Sequence, residues 1–303
     1  MLSRSTILGV LVAFVALVKS PVTVDAVEAA SANRTLVAQQ TQSSHIQYSI
    51  RNGQVKSRGV NLGSWLVAEH WMCADAEFWN GLSAEEALSG EYTAIIKAAN
   101  RDTARALVQK HHNTFITETD IKAIADAGIN TVRVPVGYWI VGFDNNDPAG
   151  FKEWDVYSKG SIFYLDVLIR IWAVKYNVAV LVDLHAAKGS QNGQDHSSPP
   201  VPGHAYWSEY AENVQNSITA VSFLADRYKN DEAFLGMGLL NEPQGSTNKQ
   251  VLYNYYQDAY RAIRSTGNNC VIMIAPVLTE QGPEAMVGFM EVPAYTNVWV
   301  EWH

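Results

Sequence analysis

Cysteine, charge and long apolar runs are what this 303-residue chain has least of. Its two cysteines cannot build a disulfide scaffold or a four-thiolate zinc site. No apolar run reaches the roughly 18–20 residues that span a bilayer, so no membrane span is expected. Basic residues are outnumbered: 22 Lys and Arg against 30 Asp and Glu leave a net charge of −8. An acidic surface repels phosphate backbones, which argues against nucleic acid as a partner. No His-Glu-x-x-His or spaced Cys/His set is present, and the adjacent His111 and His112 cannot share one helix face, so neither metal nor cofactor is expected. The loop Gly189–Gly193 (G-S-Q-N-G) lacks the Lys-Ser/Thr of a phosphate loop and reads as a rim loop. What the chain does have is apolar material: 48% of its residues are hydrophobic, too many for a disordered protein and enough for one large core.

The first residues point to export. Arg4 precedes an apolar stretch from Ile7 to Val18 that suits a signal peptide, and Val24 and Ala26 are small residues at a spacing suited to its cleavage. Residues 1–26 are thus expected to be a signal peptide and 27–45 a disordered, polar lead-in. Asn33-Arg34-Thr35 forms a glycosylation sequon within that lead-in. Secretion would put both cysteines in an oxidising compartment. Cys73 follows one predicted strand and Cys270 opens another, so in a parallel sheet they would lie near opposite ends. A strand of about six residues spans roughly 20 Å, too far for a disulfide.

From residue 46 to 303 apolar runs alternate with segments of helical period. Strands are predicted at Ser57–Leu62, Ile129–Pro135, Val178–His185, Phe234–Asn241, Cys270–Ala275 and Asn297–His303, continuous enough to be buried on both faces. Helices are predicted from Thr117, with Asp120 completing a variant capping box, to Gly128, and over Ser161–Tyr176, Tyr206–Tyr228 and Asn248–Thr266. Tyr48–Ile50, Asn52-Gly53 and Val55 read as a small hairpin placed to plug the sheet's lower end. This alternation describes an α/β protein, either doubly wound or a (β/α)8 TIM barrel. Polar and aromatic residues gather just after the strands, where barrel enzymes put their chemistry, and the first strand-to-helix turn lacks Gly-x-Gly-x-x-Gly, which favours the barrel. Six strands and a unit of about 40 residues make it an incomplete one, with two units fewer than a whole barrel of roughly 250 residues.

The sharpest local signal is Gly238-Leu239-Leu240-Asn241-Glu242-Pro243. An apolar strand delivers Asn241 and Glu242 to its tip, and Pro243 ends the ladder. Partial desolvation there favours the protonated carboxyl that a general acid needs, and Asn241 suits a sugar hydroxyl. The alternative is a helix N-cap. Arg133 sits inside an apolar strand, where an unpaired guanidinium is expensive, so it requires a carboxylate partner, catalytic or structural. His185 ends its strand at the same rim, as a site residue or as a satisfied core histidine. Glu69 and His70 follow the first strand. Trp65, Trp71, Trp79, Tyr138, Trp139 and Trp207 are either core or flat faces for sugar rings.

Together these stretches resemble the exo-β-1,3-glucanase branch of glycoside hydrolase family 5. The similar pieces are R-G-V-N-L-G-S-W-L-V-A-E-H-W-M (58–72), N-T-V-R-V-P-V-G-Y-W (130–139), V-D-L-H-A-A-K-G-S-Q-N-G (182–193), G-L-L-N-E-P (238–243) and N-V-W-V-E-W-H (297–303), in the family's order. The resemblance implies a (β/α)8 barrel acting on β-glucan with retention through a covalent glycosyl-enzyme. It implies Glu242 as acid/base, Asn241 contacting the sugar beside the scissile bond, and Arg133 orienting the nucleophile carboxylate. His185 and Glu69 would line the terminal-glucose subsite, and His303 would match the His of an H-x-Y element. The family's nucleophile, a Glu ending strand seven, has no counterpart here: Glu69, Asp183, Glu280 and Glu301 are the other carboxylates near strand ends, with Asp183 equally suited to orienting. Arg133 would then lose the anion that justifies its burial. Two other readings remain, a non-catalytic β-glucan-binding protein and an endo-β-1,4- or β-1,6-glucanase.

Six strands also carry a physical cost. Unpaired edges would leave several hundred Å² of apolar surface in water, costing ~10 kcal/mol at about 25 cal/mol per Å². A whole domain is stable by only ~5–15 kcal/mol. The chain is therefore expected to be marginal, prone to aggregate or dependent on a partner.

Overall fold

The computed structural model describes residues 45–143, 153–282 and 284–303. The expected signal peptide, the sequon at Asn33 and all but the last residue of the expected lead-in lie outside them.

Six parallel strands form one sheet in sequential order: β1 Gly59–Asn61, β2 Thr131–Gly137, β3 Ala179–Ala186, β4 Phe234–Gly238, β5 Val271–Ile274 and β6 Val298–Val300. All six expected strands are present, in register from Gly59 opposite Thr131 to Ile274 opposite Val300. Before β1 runs α1 Ile46–Arg51, and between the strands run α2 Ala84–Ala87, α3 Glu91–Lys97, α4 Arg101–Thr114, α5 Glu118–Asp126, α6 Ile162–Val167, α7 Ala173–Tyr176, α8 Ala211–Tyr228 and α9 Lys249–Ser265. A π-helical turn, Leu168–Trp172, joins α6 to α7. At the start of α5 the Asp120 carboxylate accepts from the Thr117 N–H at 2.7 Å, closing the box expected there. This is an incomplete (β/α)8 barrel: among the described residues, β1 and β6 each have one neighbour in the sheet.

Burial follows strand position. Every residue of β3, β4 and β5 is buried, whereas β1 is exposed throughout and β6 is half-buried. The inner strands meet helices on one face and barrel-facing side chains on the other, which is why they read as unbroken apolar runs. One apolar core joins β2–β5 to α5–α9 through residues such as Val134, Leu184, Leu224 and Tyr256.

The expected hairpin at Tyr48–Val55 is instead the helix α1. The His45 ring accepts from the Gln47 N–H at 3.2 Å, and Gln47 and Ile50, three apart, make one buried face. Asn52-Gly53 turns the chain all the same, as a helix C-terminus with Gly53 at φ 72°. The segment does plug the lower end: Ile50 packs on Ala179, Leu235 and Val271 at the starts of β3, β4 and β5. Cys73 and Cys270 are both free and buried.

Candidate active site

Side chains from the end of β1, from within β2 and β3, and from the segments beyond β4 and β6 converge on one polar cluster with Arg133 at its centre. One terminal nitrogen of Arg133 lies 2.9 Å from Asn241 Oδ1, 3.1 Å from Asp183 Oδ2 and 3.4 Å from Glu301 Oε2. The other reaches Asn61 Oδ1 at 3.3 Å. The side chains of Arg133 and Asp183 are 16% and 0% exposed, so this pair sits in a low dielectric. The expectation that Arg133 would lack an anion is therefore corrected: Asp183 supplies one from the neighbouring strand, and Glu301 a second. Burial opposes the charge on Asp183, but Arg133 and then His185 outweigh it and hold the carboxyl below its usual range. Room for that carboxylate comes from Gly238, where a Cβ would stand 2.2 Å from Asp183 Oδ1.

His185 follows two residues later on β3, and its Nδ1 meets Asp183 Oδ2 at 2.8 Å. Burial pushes the imidazole below its usual pKa despite that carboxylate, so the ring is neutral at pH 7. The Asp183 contact then places the proton on Nδ1 and leaves Nε2 as an acceptor. The residue is buried, but its partner belongs to the polar cluster rather than to the apolar core.

Beyond β4, the Asn241 N–H donates to the Leu184 carbonyl at 3.0 Å, and Glu242 takes φ 47°. A non-glycine residue in that region is uncommon and marks a place where surrounding contacts dictate the backbone. The rim loop after β3 supplies those contacts. Gln191 Nε2 donates to the Asn241 carbonyl at 2.8 Å, and Asn192 Nδ2 donates to the Glu242 carbonyl at 3.1 Å. The helix-cap alternative for Glu242 falls, because α9 begins at Lys249 and is capped by Asn248.

The Glu242 carboxyl lies between two histidines: Oε1 is 2.7 Å from His303 Nδ1, and Oε2 is 3.0 Å from His196 Nε2. These contacts hold it far below the usual carboxylate range, with His196 first and His303 second. The expected protonated carboxyl is thus corrected: desolvation acts in the anticipated direction, but two imidazoles outweigh it. Contacts with Glu242 and Glu301 push His303 up to about 9. His196 reaches about 9 as well, against burial and with help from Asp195 and Glu242.

Glu69 sits on the loop after β1. Its N–H donates to Ser64 Oγ at 3.0 Å, and its Oε2 accepts from Trp71 Nε1 at 3.0 Å. It is near enough to act electrostatically on His196. Arg133, His185, Asn241, Glu242 and His303 therefore belong to one polar cluster, which Glu69 reaches through its charge on His196. The aromatic set divides. Trp71 is 69% exposed, while Trp65, Trp79, Tyr138, Trp139 and Trp207 are buried. The buried indoles have internal partners: Trp65 donates to the His112 carbonyl at 2.8 Å and Trp207 to Ser217 Oγ at 3.0 Å. Trp139 stacks on Tyr157 at 3.5 Å. Sequence reasoning missed His196, Gln191 and Asn192. The signal available was the loop itself, polar yet placed directly after a strand that ends in His185.

Parallel strands with helices behind them, and charged and amide side chains gathered toward the strand ends, define a (β/α)8-barrel type of scaffold. The family model for Cellulase (glycosyl hydrolase family 5) matches residues 81–303. The chain belongs to that family. It is 32% identical over 252 residues to glucan 1,3-beta-glucosidase 2 of Wickerhamomyces anomalus, covering 82% of this chain and 56% of the relative. It is 36% identical over 222 residues to the probable glucan 1,3-beta-glucosidase A of Emericella nidulans, covering 72% and 51%. The chain thus spans about half the length of the curated relatives it matches. Among solved structures it is similar to rutinosidase from Aspergillus niger, at TM-score 0.66 and 20% identity over 81% of this chain and 68% of that one, a likeness of fold. Among the described residues, no helix is long and apolar enough to cross a membrane.

Proposed function

We propose that residues 46–303 carry the proton-donor half of a retaining hydrolase for β-1,3-glucan. Glu242 is the acid/base, and Asn241 contacts the sugar beside the scissile bond. His185 and Glu69 line the terminal-glucose subsite with His303 at its rim, and Arg133 orients the anionic side of the cleft. One observation carries this reading: beyond an apolar strand, Glu242 joins a polar cluster with His196 and His303 that continues through Glu301 to Arg133, Asn241 and the Asp183–His185 pair, with Glu69 acting on it through His196. The similarity to glucan 1,3-beta-glucosidases supports the substrate class. Retention needs a second carboxylate about 5–5.5 Å from the first. The nearby carboxylates are engaged elsewhere, Asp183 and Glu301 by Arg133 and Glu69 by Trp71.

That engagement, with Glu242 ionised at rest, favours a second reading in which the chain holds β-glucan without cleaving it. Incubation with laminarin, cellulose and pustulan separates the readings. Release of glucose from laminarin supports the hydrolase. Saturable binding of laminarin without sugar release supports the binding protein. Preferential cleavage of cellulose or pustulan assigns a different linkage, and neither binding nor cleavage of any glucan overturns the proposal. Export follows from Arg4 and the apolar stretch Ile7–Val18, and N-terminal sequencing of protein recovered from the medium should begin near residue 27.

A further inference from the structure

The loop after β3 brings to Glu242 a residue that the cleft's glucan-facing set does not include. His196 Nε2 stands 3.0 Å from Glu242 Oε2, and its Nδ1 is 3.7 Å from Asp195 Oδ1. The ring thus lies between two carboxylates, one at the strand tip and one on its own loop. Its side chain is only 12% exposed, so these charges act through little water. We propose that His196 is a positioning residue for Glu242, gripping one carboxyl oxygen and holding in reserve the proton that Glu242 passes to a glycosidic oxygen.

The surroundings agree from every side. The β1 loop brings Glu69, which favours the charged ring. The tip of β3 brings His185, whose ring lies 5.3 Å away and is neutral through burial, so it does not repel a neighbouring cation strongly. Arg133 has its charge met by Asp183 and Glu301. His303 holds the other oxygen of Glu242. At the start of α3, Gly90 packs so closely that a Cβ would stand 2.5 Å from the Asp195 carbonyl, while the Glu91 carboxyl accepts from the Ala68 N–H. His204, behind the loop, stacks on Tyr206 and bonds the Pro202 carbonyl. Asn192 Nδ2 also lies 2.9 Å from His196 Nε2 and would suit a neutral ring. The carboxylate prevails there, because a hydrogen bond between charged partners is roughly twice as strong as one between neutral ones.

The transfer balances. The Nε2–H bond breaks with its electron pair left on nitrogen, an O–H bond forms on Glu242, and the imidazolium becomes neutral. Glu242 then protonates the leaving oxygen as its bond to the anomeric carbon breaks, and the water whose hydroxyl ends on that carbon returns its other proton through Glu242 to the ring. A carboxylate clamped as an anion thereby still serves as an acid, since the cation beside it carries the proton.

This inference rests on reading Glu242 as the proton donor, but its test needs no substrate. Carbon-13 NMR titration of the full chain, labelled at Glu and His, follows both groups between pH 3 and 10. In the unaltered chain His196 should titrate near 9, and Glu242 should stay ionised through pH 4.5. His196→Gln keeps a donor and removes the charge, so the Glu242 pKa should rise by about one to three pH units. Asp195→Asn leaves the Glu242 contact in place and should lower the His196 pKa. Titration of His196 at or below 6.5 in the unaltered chain overturns the proposal, as does an unmoved Glu242 in His196→Gln. If that variant does not fold, the unaltered chain and Asp195→Asn decide. Loss of laminarin binding with the titration as expected would overturn the glucan reading and leave the His196–Glu242 pair standing. A failed titration with laminarin cleavage intact would remove only the proton reserve.

Discussion

Arg133 satisfies four residues at once, and its value lies mostly in what its removal would expose. Asp183 is fully buried and keeps only His185 once the guanidinium is gone. Breaking one side of such a pair costs about 3–5 kcal/mol. Arg133→Met should therefore lower unfolding stability by about that much, read from urea titrations, whereas a loss under 1 kcal/mol would show that Asp183 does not depend on it. Glu91 presents the opposite case. It is fully buried, one oxygen accepts from the Ala68 N–H at 3.1 Å, the other has no hydrogen-bond partner among the described residues, and burial pushes its pKa up to about 7. A carboxyl whose folded pKa exceeds its unfolded value of 4.5 binds a proton more readily in the folded chain. Stability is then lost as pH rises from 4.5 to 7, by about 3.5 kcal/mol at about 1.4 kcal/mol per pH unit. Glu91→Gln should be the more stable form at pH 8 and no better at pH 4, measured by urea unfolding of both. The Glu242 cluster runs with a different sign. His196 and His303, raised to about 9, contribute fully below 6.5 and lose that contribution as pH climbs through 9. Glu242, lowered, contributes fully above 4.5 and loses it in more acid solution. The cluster is thus strongest between 4.5 and 6.5.

At the scale of elements, the seam between α6 and the end of α8 is polar. Asp166 accepts from Arg227 Nε at 2.9 Å and from the Tyr228 hydroxyl at 2.8 Å, with Arg170 at 3.4 Å. Arg170 also meets Asp231 at 3.1 Å, just before β4. Asp166→Ala strips one carboxylate from two arginines and should cost about 3 kcal/mol, visible as a lower urea midpoint. The elements themselves were largely legible in the sequence. β2–β5 announce themselves because burial on both faces forbids polar residues except those that serve the site. Arg133 was conspicuous for that reason. The segment 46–53 misled because Asn-Gly serves a helix end as well as a hairpin turn, and only packing against Ala179, Leu235 and Val271 decides between them. His196 was invisible for a related cause. A loop has no period, so nothing in 189–197 marks which polar side chain will face Glu242. The protonation of Glu242 was misjudged because desolvation reads from the strand, while the histidines that oppose it arrive from two other elements.

At the scale of the whole molecule the sheet has two ends. Val60 on β1 is 38% exposed, and beside β6 a groove of about 500 Å³ runs along Met286, Phe289, Tyr295, Trp299 and Trp302. Val287, Val292 and Trp302 are 74%, 76% and 49% exposed. Unpaired strand edges beside apolar side chains invite association. Residues 27–303 should sediment as a concentration-dependent mixture, and a single species at the monomer mass across a hundredfold range of concentration would contradict that.

Most of the large indoles are sealed inside, but Trp71 stands in water with its ring nitrogen bonded to Glu69. Anything that enters the cleft and competes for that carboxylate must alter the light this side chain emits. Iodide quenching of tryptophan fluorescence should therefore weaken when laminarin oligosaccharides occupy the cleft, and replacing Trp71 with Phe should abolish most of the change. The molecule carries its own optical reporter of occupancy, one that answers whether or not a bond is cut.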